Sequence, residues 1–320
     1  MSFIKIFMNL FCFIKTIMKI FKRIKAKYFS KTYINAVLYS LKRLLFYKND
    51  TLEKLIYKRT ILKYFVGMLG ENVYNLKIYK EFEKRYSKED YFNFNGLKHP
   101  RVESKDIKGF VYDFLNIYYL PFFYTKCITD EGPYFYDKVS INNGDIVIDA
   151  GAHSGIFSAL ASSMGAVVYA FEPIINHPFY LIKTSELNPN IKIIPLALSN
   201  FNGYTEMIVD EQDSRASRLE FLKIKKRNYK KITVKATTLD NWVKENNIEK
   251  IDFIKTDIEG AERYFLEGSK WVLKNFSPKL SLSAYHFDDD EVVLPQLIKK
   301  INPNYIVICK WKKVFAWVDK

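Results

Sequence analysis

Three carboxylates crowd around one glycine in Thr256-Asp257-Ile258-Glu259-Gly260-Ala261-Glu262, directly after the apolar run Ile251 to Lys255. The carboxyl end of a strand is where open α/β sheets bind ligands, and carboxylates there can orient a hydroxyl or accept its proton. The plainer explanation is helix chemistry, with Asp257 as a cap and Glu259 and Glu262 favoured in the first turn by the macrodipole. That explanation is adopted for Glu262, whereas Asp257 and Glu259 are assigned to a site. His286 follows the next apolar run, Lys279 to Ala284, and so reaches the same edge. An imidazole is suited to act there as a base or as a hydroxyl-orienting group. Asp257, Glu259 and His286 also suit magnesium or a similar hard cation, an alternative ranked second to a metal-free site.

A second stretch lies upstream. Asp145 to Asp149 is a short apolar run ending in a carboxylate, and Ala150-Gly151-Ala152-His153-Ser154-Gly155 follows at once. Strand, glycine turn and helix start together form a nucleotide-binding βα unit, in which glycines let the backbone approach the ligand. Asp149, Gly151, Ala152, His153 and Gly155 are its candidate cofactor contacts. Glu172 ends the next apolar run, Val167 to Phe171, about 20 residues past the turn, where such folds place the acid that receives ribose hydroxyls. The turn lacks the middle glycine of G-x-G-x-x-G and has His153 in its place. A bulky residue suits a pyrophosphate cradle less well than it suits adenosylmethionine, which has no phosphate. His153 reads as a capping or packing residue of the turn, without a catalytic role.

The elements that must position these residues alternate. Apolar runs at Ile191 to Leu196, Ile251 to Thr256, Lys279 to Ala284 and Tyr305 to Cys309 are separated by helical patterns around Pro178 to Leu187, Leu239 to Asn246, Ala261 to Leu273 and Asp290 to Ile301. Such alternation predicts a parallel doubly wound sheet. Two stretches break it: a hairpin or insertion of Tyr204 to Val209 with Ile232 to Ala236, and a final pair of Tyr305 to Lys310 with Val314 to Val318. The terminal hairpin implies a reversed last strand, which a usual dehydrogenase sheet lacks.

With these motifs the chain resembles the FkbM family of methyltransferases. The resemblance rests on Val147-Ile148-Asp149-Ala150-Gly151-Ala152-His153-Ser154-Gly155, on Phe171-Glu172-Pro173, and on Lys255-Thr256-Asp257-Ile258-Glu259-Gly260-Ala261-Glu262. It extends from about Asp130 to the C-terminus, through Asp130-Glu131-Gly132-Pro133-Tyr134, Ala197-Leu198-Ser199 and Ser283-Ala284-Tyr285-His286. It implies a Rossmann-like methyltransferase domain over residues 130–320 and S-adenosyl-L-methionine as cofactor. The implied reaction is O-methylation of a hydroxyl on a sugar, glycan or small metabolite. Where the family commonly has Asn, this chain has His153, a change expected to tune the turn without removing cofactor binding. Competing readings are a membrane-docked binding module with an inactive methyltransferase fold and an NAD-dependent oxidoreductase.

Composition bounds the remainder. A chain of 320 residues exceeds one ordinary domain, and 48% hydrophobic residues provide ample core. Cys12, Cys127 and Cys309 lie far apart without ligand spacing, which argues against a disulfide framework and a zinc site. The net charge of +15 is concentrated at the start, where eleven basic residues precede the first acid, Asp50, and leave only +4 for the rest. That distribution, and the absence of an Asn/Asp-Pro-Pro-aromatic motif, argue against a nucleic-acid partner. Residues 1–30 carry Lys and Arg at helical spacing among Phe, Ile, Leu and Met, which predicts a basic amphipathic helix. Lysines interrupt its apolar runs too often for a bilayer span. Residues 31–129 are expected to be mainly helical. The implied location is the cytoplasm, with the N-terminal helix either on the inner face of the membrane or packed on protein.

Overall fold

The computed structural model describes residues 55, 68–88, 90–114, 133–174, 180–210, 218–219 and 229–319. The amphipathic helix expected over 1–30, the helical patterns before residue 68 and the Asp130-Glu131-Gly132 lead lie outside the described residues. The chain divides into two compact units, 1–71 and 72–320. The second unit holds every candidate site residue.

Its centre is a seven-stranded sheet of β4 (Ile146–Ala150), β5 (Val167–Phe171), β6 (Ile191–Ile194), β11 (Phe253–Thr256), β12 (Lys279–Ser283), β13 (Ile306–Lys310) and β14 (Lys313–Trp317). Their order is β13-β14-β12-β11-β4-β5-β6. All neighbours from β12 to β6 run parallel, and β14 enters antiparallel between β12 and β13. This is the reversed terminal strand expected from the sequence, on a doubly wound sheet of the Rossmann-like methyltransferase type. Helices cover both faces, so the middle strands are buried on each side and read as continuous apolar runs. Ile148, Ile254, Leu280 and Leu282 are core residues of that kind.

α3 (Ile156–Ser163) follows β4, α4 (Tyr180–Leu187) follows β5, and α5 (Leu239–Glu245) precedes β11. The helix expected over Ala261 to Leu273 is two, α6 (Glu262–Glu267) and α7 (Lys270–Asn275). Gly268, between them, has no room for a side chain: a Cβ there would lie 2.0 Å from the Ser199 carbonyl oxygen. Asp240 then caps α7, accepting the Trp271 and Val272 N–H groups at 2.8 and 2.9 Å. α8 (Asp290–Ile301) completes the helices. The inserted hairpin is β8 (Gly203–Asp210) against β10 (Tyr229–Thr237), in a small sheet with β7 (Ala197–Leu198) and β9 (Arg218–Leu219).

Within the region expected to be mainly helical up to residue 129, the described residues include a small sheet that the sequence reading did not anticipate. α1 (Met68–Tyr86) is followed by an antiparallel sheet of β1 (Ser87–Lys88), β2 (Tyr91–Phe94) and β3 (Leu97–Pro100), then by α2 (Ile107–Phe114). Phe92 and Phe94 alternate into one buried face and meet Phe82, Phe110 and Phe114 edge to face, stacked or tilted. A two-residue period in aromatic residues favours a strand over a helix. β3 packs on α3 and α4, so residues 72–114 share a unit with the large sheet.

Candidate functional site

β4 and β11 are neighbours in register, with Lys255 opposite Asp149 and Thr256 opposite Ala150. One further rung, Asp257 N–H to the Ala150 carbonyl at 3.0 Å, brings the glycine turn and the carboxylate turn out side by side. The approach is close enough to exclude any side chain at Gly151: with φ at +77°, its Cβ would lie 2.0 Å from the Asp257 carbonyl oxygen. Gly155 is similarly confined, by Leu181 and Thr184 of α4.

Asp149 supports this turn from below. It is fully buried; its Oδ1 accepts Lys255 Nζ at 2.8 Å and its Oδ2 accepts Ser158 Oγ at 2.6 Å. Lys255, 4% exposed, also donates to the Gly151 carbonyl at 2.7 Å. The sequence places Asp149 among the cofactor contacts. Its bonds hold the turn, through a buried ion pair whose partners satisfy one another.

The backbone donors of the turn are used internally. Gly151 and Ala152 N–H both donate to the Phe171 carbonyl, at 3.0 and 3.1 Å, and Gly155 N–H donates to the Ala152 carbonyl at 2.8 Å. His153 N–H donates to Glu172 Oε2 at 3.0 Å, and Ile174 N–H donates to Glu172 Oε1 at 3.1 Å. Burial pushes the Glu172 carboxyl above its usual range, against the lowering effect of these two bonds. Each carboxylate oxygen keeps a lone pair for a further donor. His153 has φ +48°, the left-handed region that Asn, Asp and His tolerate better than other side chains, so an exchange of Asn for His leaves the turn intact. Its Nδ1 stands 3.9 Å from Asp113 Oδ2 on α2.

The carboxylate turn is made of side-chain charge. Asp257 Oδ2 accepts the Tyr134 hydroxyl through a short bond, and its Oδ1 accepts the Tyr285 hydroxyl at 2.9 Å. Lys313, 1% exposed on β14, donates to Ser283 Oγ at 3.0 Å and lies over the Tyr134 and Tyr285 rings at 4.3 and 4.9 Å. Burial would raise the Asp257 carboxyl, but Lys313, Lys255 and His286 outweigh it and hold the group well below the carboxylate range. Glu262 stands in the first turn of α6, in line with the sequence expectation, and closes the turn before it. It accepts Ile258 N–H at 2.9 Å and Gly260 N–H at 3.0 Å. Glu259 adopts φ +55° at the crest of the turn.

His286 does reach this group. Its Nε2 is 3.7 Å from Asp257 Oδ1 and 3.7 Å from Glu259 Oε2, and its Nδ1 is 3.4 Å from Glu262 Oε2. Burial lowers its pKa, but the charges of Glu262, Asp257 and Glu259 prevail and raise it to about 9. A ring protonated at neutral pH donates, which fits an orienting role and disfavours the role of base. Asp290 fixes its backbone by accepting His286 and Phe287 N–H at 3.1 and 2.8 Å.

The structure thus adds Tyr134, Tyr285, Lys255 and Lys313 to the residues singled out from the sequence. A lysine inside the apolar run Ile251 to Thr256 is a readable signal for Lys255. Tyr134 and Tyr285 sit within the family motifs without an assigned role. Nothing in the sequence marks Lys313, one of two adjacent lysines where β14 begins.

Residues 149–305 match the family model described as Methyltransferase FkbM domain. No curated protein matches the chain. Among solved structures, a methyltransferase FkbM from Methylobacillus flagellatus KT is similar at 18% identity and TM-score 0.44, covering 77% of this chain and 59% of that one. This chain therefore spans under two thirds of that protein's length. A precorrin-6y C5,15-methyltransferase from Geobacter metallireducens shares 12% identity at TM-score 0.35, covering 57% and 84% of the two chains. Aeropyrum pernix fibrillarin, in complex with natively bound S-adenosyl-L-methionine, shares 11% at TM-score 0.34, covering 55% and 67%.

Proposed function

Because residues 149–305 match the FkbM methyltransferase domain, we propose that the chain transfers the methyl group of S-adenosylmethionine to a hydroxyl of a sugar, glycan or small metabolite. The observation that carries the cofactor reading is the use of the turn's own donors: Gly151, Ala152, His153 and Gly155 N–H all bond within the fold. A pyrophosphate needs such donors, and adenosylmethionine does not. Glu172 is the ribose acceptor in this reading, Gly151, Ala152, His153 and Gly155 shape the pocket wall, and Asp149 positions the turn from beneath.

On the acceptor side, transfer is an in-line displacement in which a hydroxyl oxygen attacks the sulfonium methyl and the sulfur takes the bonding pair. Alignment supplies much of the acceleration. The product oxygen carries a proton that is strongly acidic once the methyl is attached, so even a weak base suffices to remove it. Asp257, ionised over the whole neutral range, is that acceptor, while His286 and Glu259 orient the hydroxyl. Calorimetry with adenosylmethionine and NAD tests the cofactor, with tighter binding of adenosylmethionine expected. Labelled adenosylmethionine incubated with cell fractions tests the acceptor, and transfer to no hydroxyl-bearing product would favour the inactive-fold reading.

Among the described residues no helix is long and apolar enough to cross a membrane. The basic amphipathic pattern of residues 1–30 supports peripheral contact with an anionic membrane. Each basic residue near such a surface contributes about 1 kcal/mol, screened over roughly 10 Å at 0.1 M salt. Full-length protein should bind anionic vesicles at low salt and release them as salt rises. Indifference to anionic vesicles would place the segment on protein instead.

A further inference from the structure

His286 is nine-tenths buried, its side chain 9% exposed, and neither ring nitrogen has a hydrogen-bond partner among the described residues. Both nitrogens point at carboxylates, at 3.4 to 3.7 Å, too far for good hydrogen bonds. Ligand atoms about 2.1 Å from a shared cation lie about 3.0–3.4 Å apart as neighbours and about 4.2 Å apart when opposed. One ligand atom from each of Asp257, Glu262 and His286 falls within 4.8 Å of the others. The three side chains thus converge on one space, and an ion bound there through one His286 nitrogen would draw them together.

Charge points the same way. Asp149, Glu172, Asp257, Glu259 and Glu262 bring five carboxylates to this edge, and Lys255 and Lys313 answer with two ammonium groups, an excess of three negative charges. A dication beside a neutral imidazole offsets more of that excess than an imidazolium does. An imidazole among carboxylates suits a first-row transition ion better than magnesium or calcium, which prefer an all-oxygen shell.

We propose that Asp257, Glu262 and His286, with Glu259 at their rim, form a site for one divalent transition-metal ion such as manganese. Its use in methyl transfer rests on the function proposed above; its binding does not. In that use the ion would draw electron density from the acceptor hydroxyl, the proton leaving to solvent as the oxygen takes the methyl and the sulfur keeps the bonding pair. Tyr134 and Tyr285 hold Asp257 in place through their hydroxyls, and Asp290 fixes the backbone of His286.

The test uses the full chain freed of metal by a chelator, titrated with manganese chloride under electron paramagnetic resonance, which reads free Mn2+, and in parallel with magnesium chloride. One Mn2+ per chain is expected, with magnesium at least tenfold weaker. His286→Gln and Asp257→Asn should each weaken Mn2+ binding at least tenfold while adenosylhomocysteine affinity stays within twofold, which certifies the fold. No stoichiometric Mn2+ binding, equal binding of magnesium, or unchanged Mn2+ affinity in the His286→Gln variant would overturn the site. Should one variant lose adenosylhomocysteine binding, the other decides. Adenosylmethionine binding without Mn2+ binding sinks the metal site and leaves the proposed function standing.

Discussion

The glycine turn after β4 and the carboxylate turn after β11 stand on neighbouring strands and share one sheet edge, yet they are built in opposite ways. The first is a backbone construction: positive φ at Gly151, His153 and Gly155, donors closed on the Phe171 carbonyl and Glu172, and a buried Lys255–Asp149 pair beneath. The second is a side-chain construction, in which Asp257, Glu259, Glu262 and His286 are balanced by Lys313 and two tyrosine hydroxyls. The difference teaches that the first turn tolerates little change in shape, whereas the second tolerates little change in charge.

Removing the support of the first turn should have the largest effect. Lys255→Met leaves Asp149 buried and unpaired, at a cost of about 3–5 kcal/mol, and urea denaturation should register most of it. Pairing Lys255→Met with Asp149→Leu should recover part of the loss. A double variant as unstable as the single one would mean that the pair does not act as a unit.

His99 tests the same turn through pH. It is buried between Pro100 and the backbone of Ser154, and burial lowers its pKa from 6.5 to about 4. The unfolded chain takes up that proton near pH 6.5 and the folded protein does not, so stability should fall as pH drops from 6.5 to 4 and level off below. At about 1.4 kcal/mol per unit the loss approaches about 3 kcal/mol. Thermal melts of His99→Gln should lack this part of the pH dependence. An unaltered profile would show that another group carries it.

Smaller effects sharpen the division of labour. Glu172→Ala should weaken adenosylmethionine binding tenfold or more, consistent with about 1.5–3 kcal/mol for hydrogen bonds to a charged group. His286→Ala should lower turnover with little change in cofactor affinity. Comparable losses of cofactor affinity in both variants would merge the two turns into one site.

The reversed terminal strand, the inserted hairpin and the strand ends carrying Asp149, Glu172, Asp257 and His286 were legible in the chain because apolar period and glycine placement are local signals. So was Glu262 as a first-turn acid, since its partners lie within four residues. The strands over residues 87–100 were missed because their aromatic residues gain a preference only from Phe82, Phe110 and Phe114, packed on from helices before and after them. The protonation of His286 needed three carboxylates counted around it in space. Lys313 meets Asp257, Tyr134 and Tyr285 only because β14 runs backwards beside β12. Residue order by itself determined the turns and the strand ends, whose geometry depends on a few adjacent φ angles. Tertiary structure alone decided which charges face one another, because burial and Coulomb energy depend on distance through space and not along the chain.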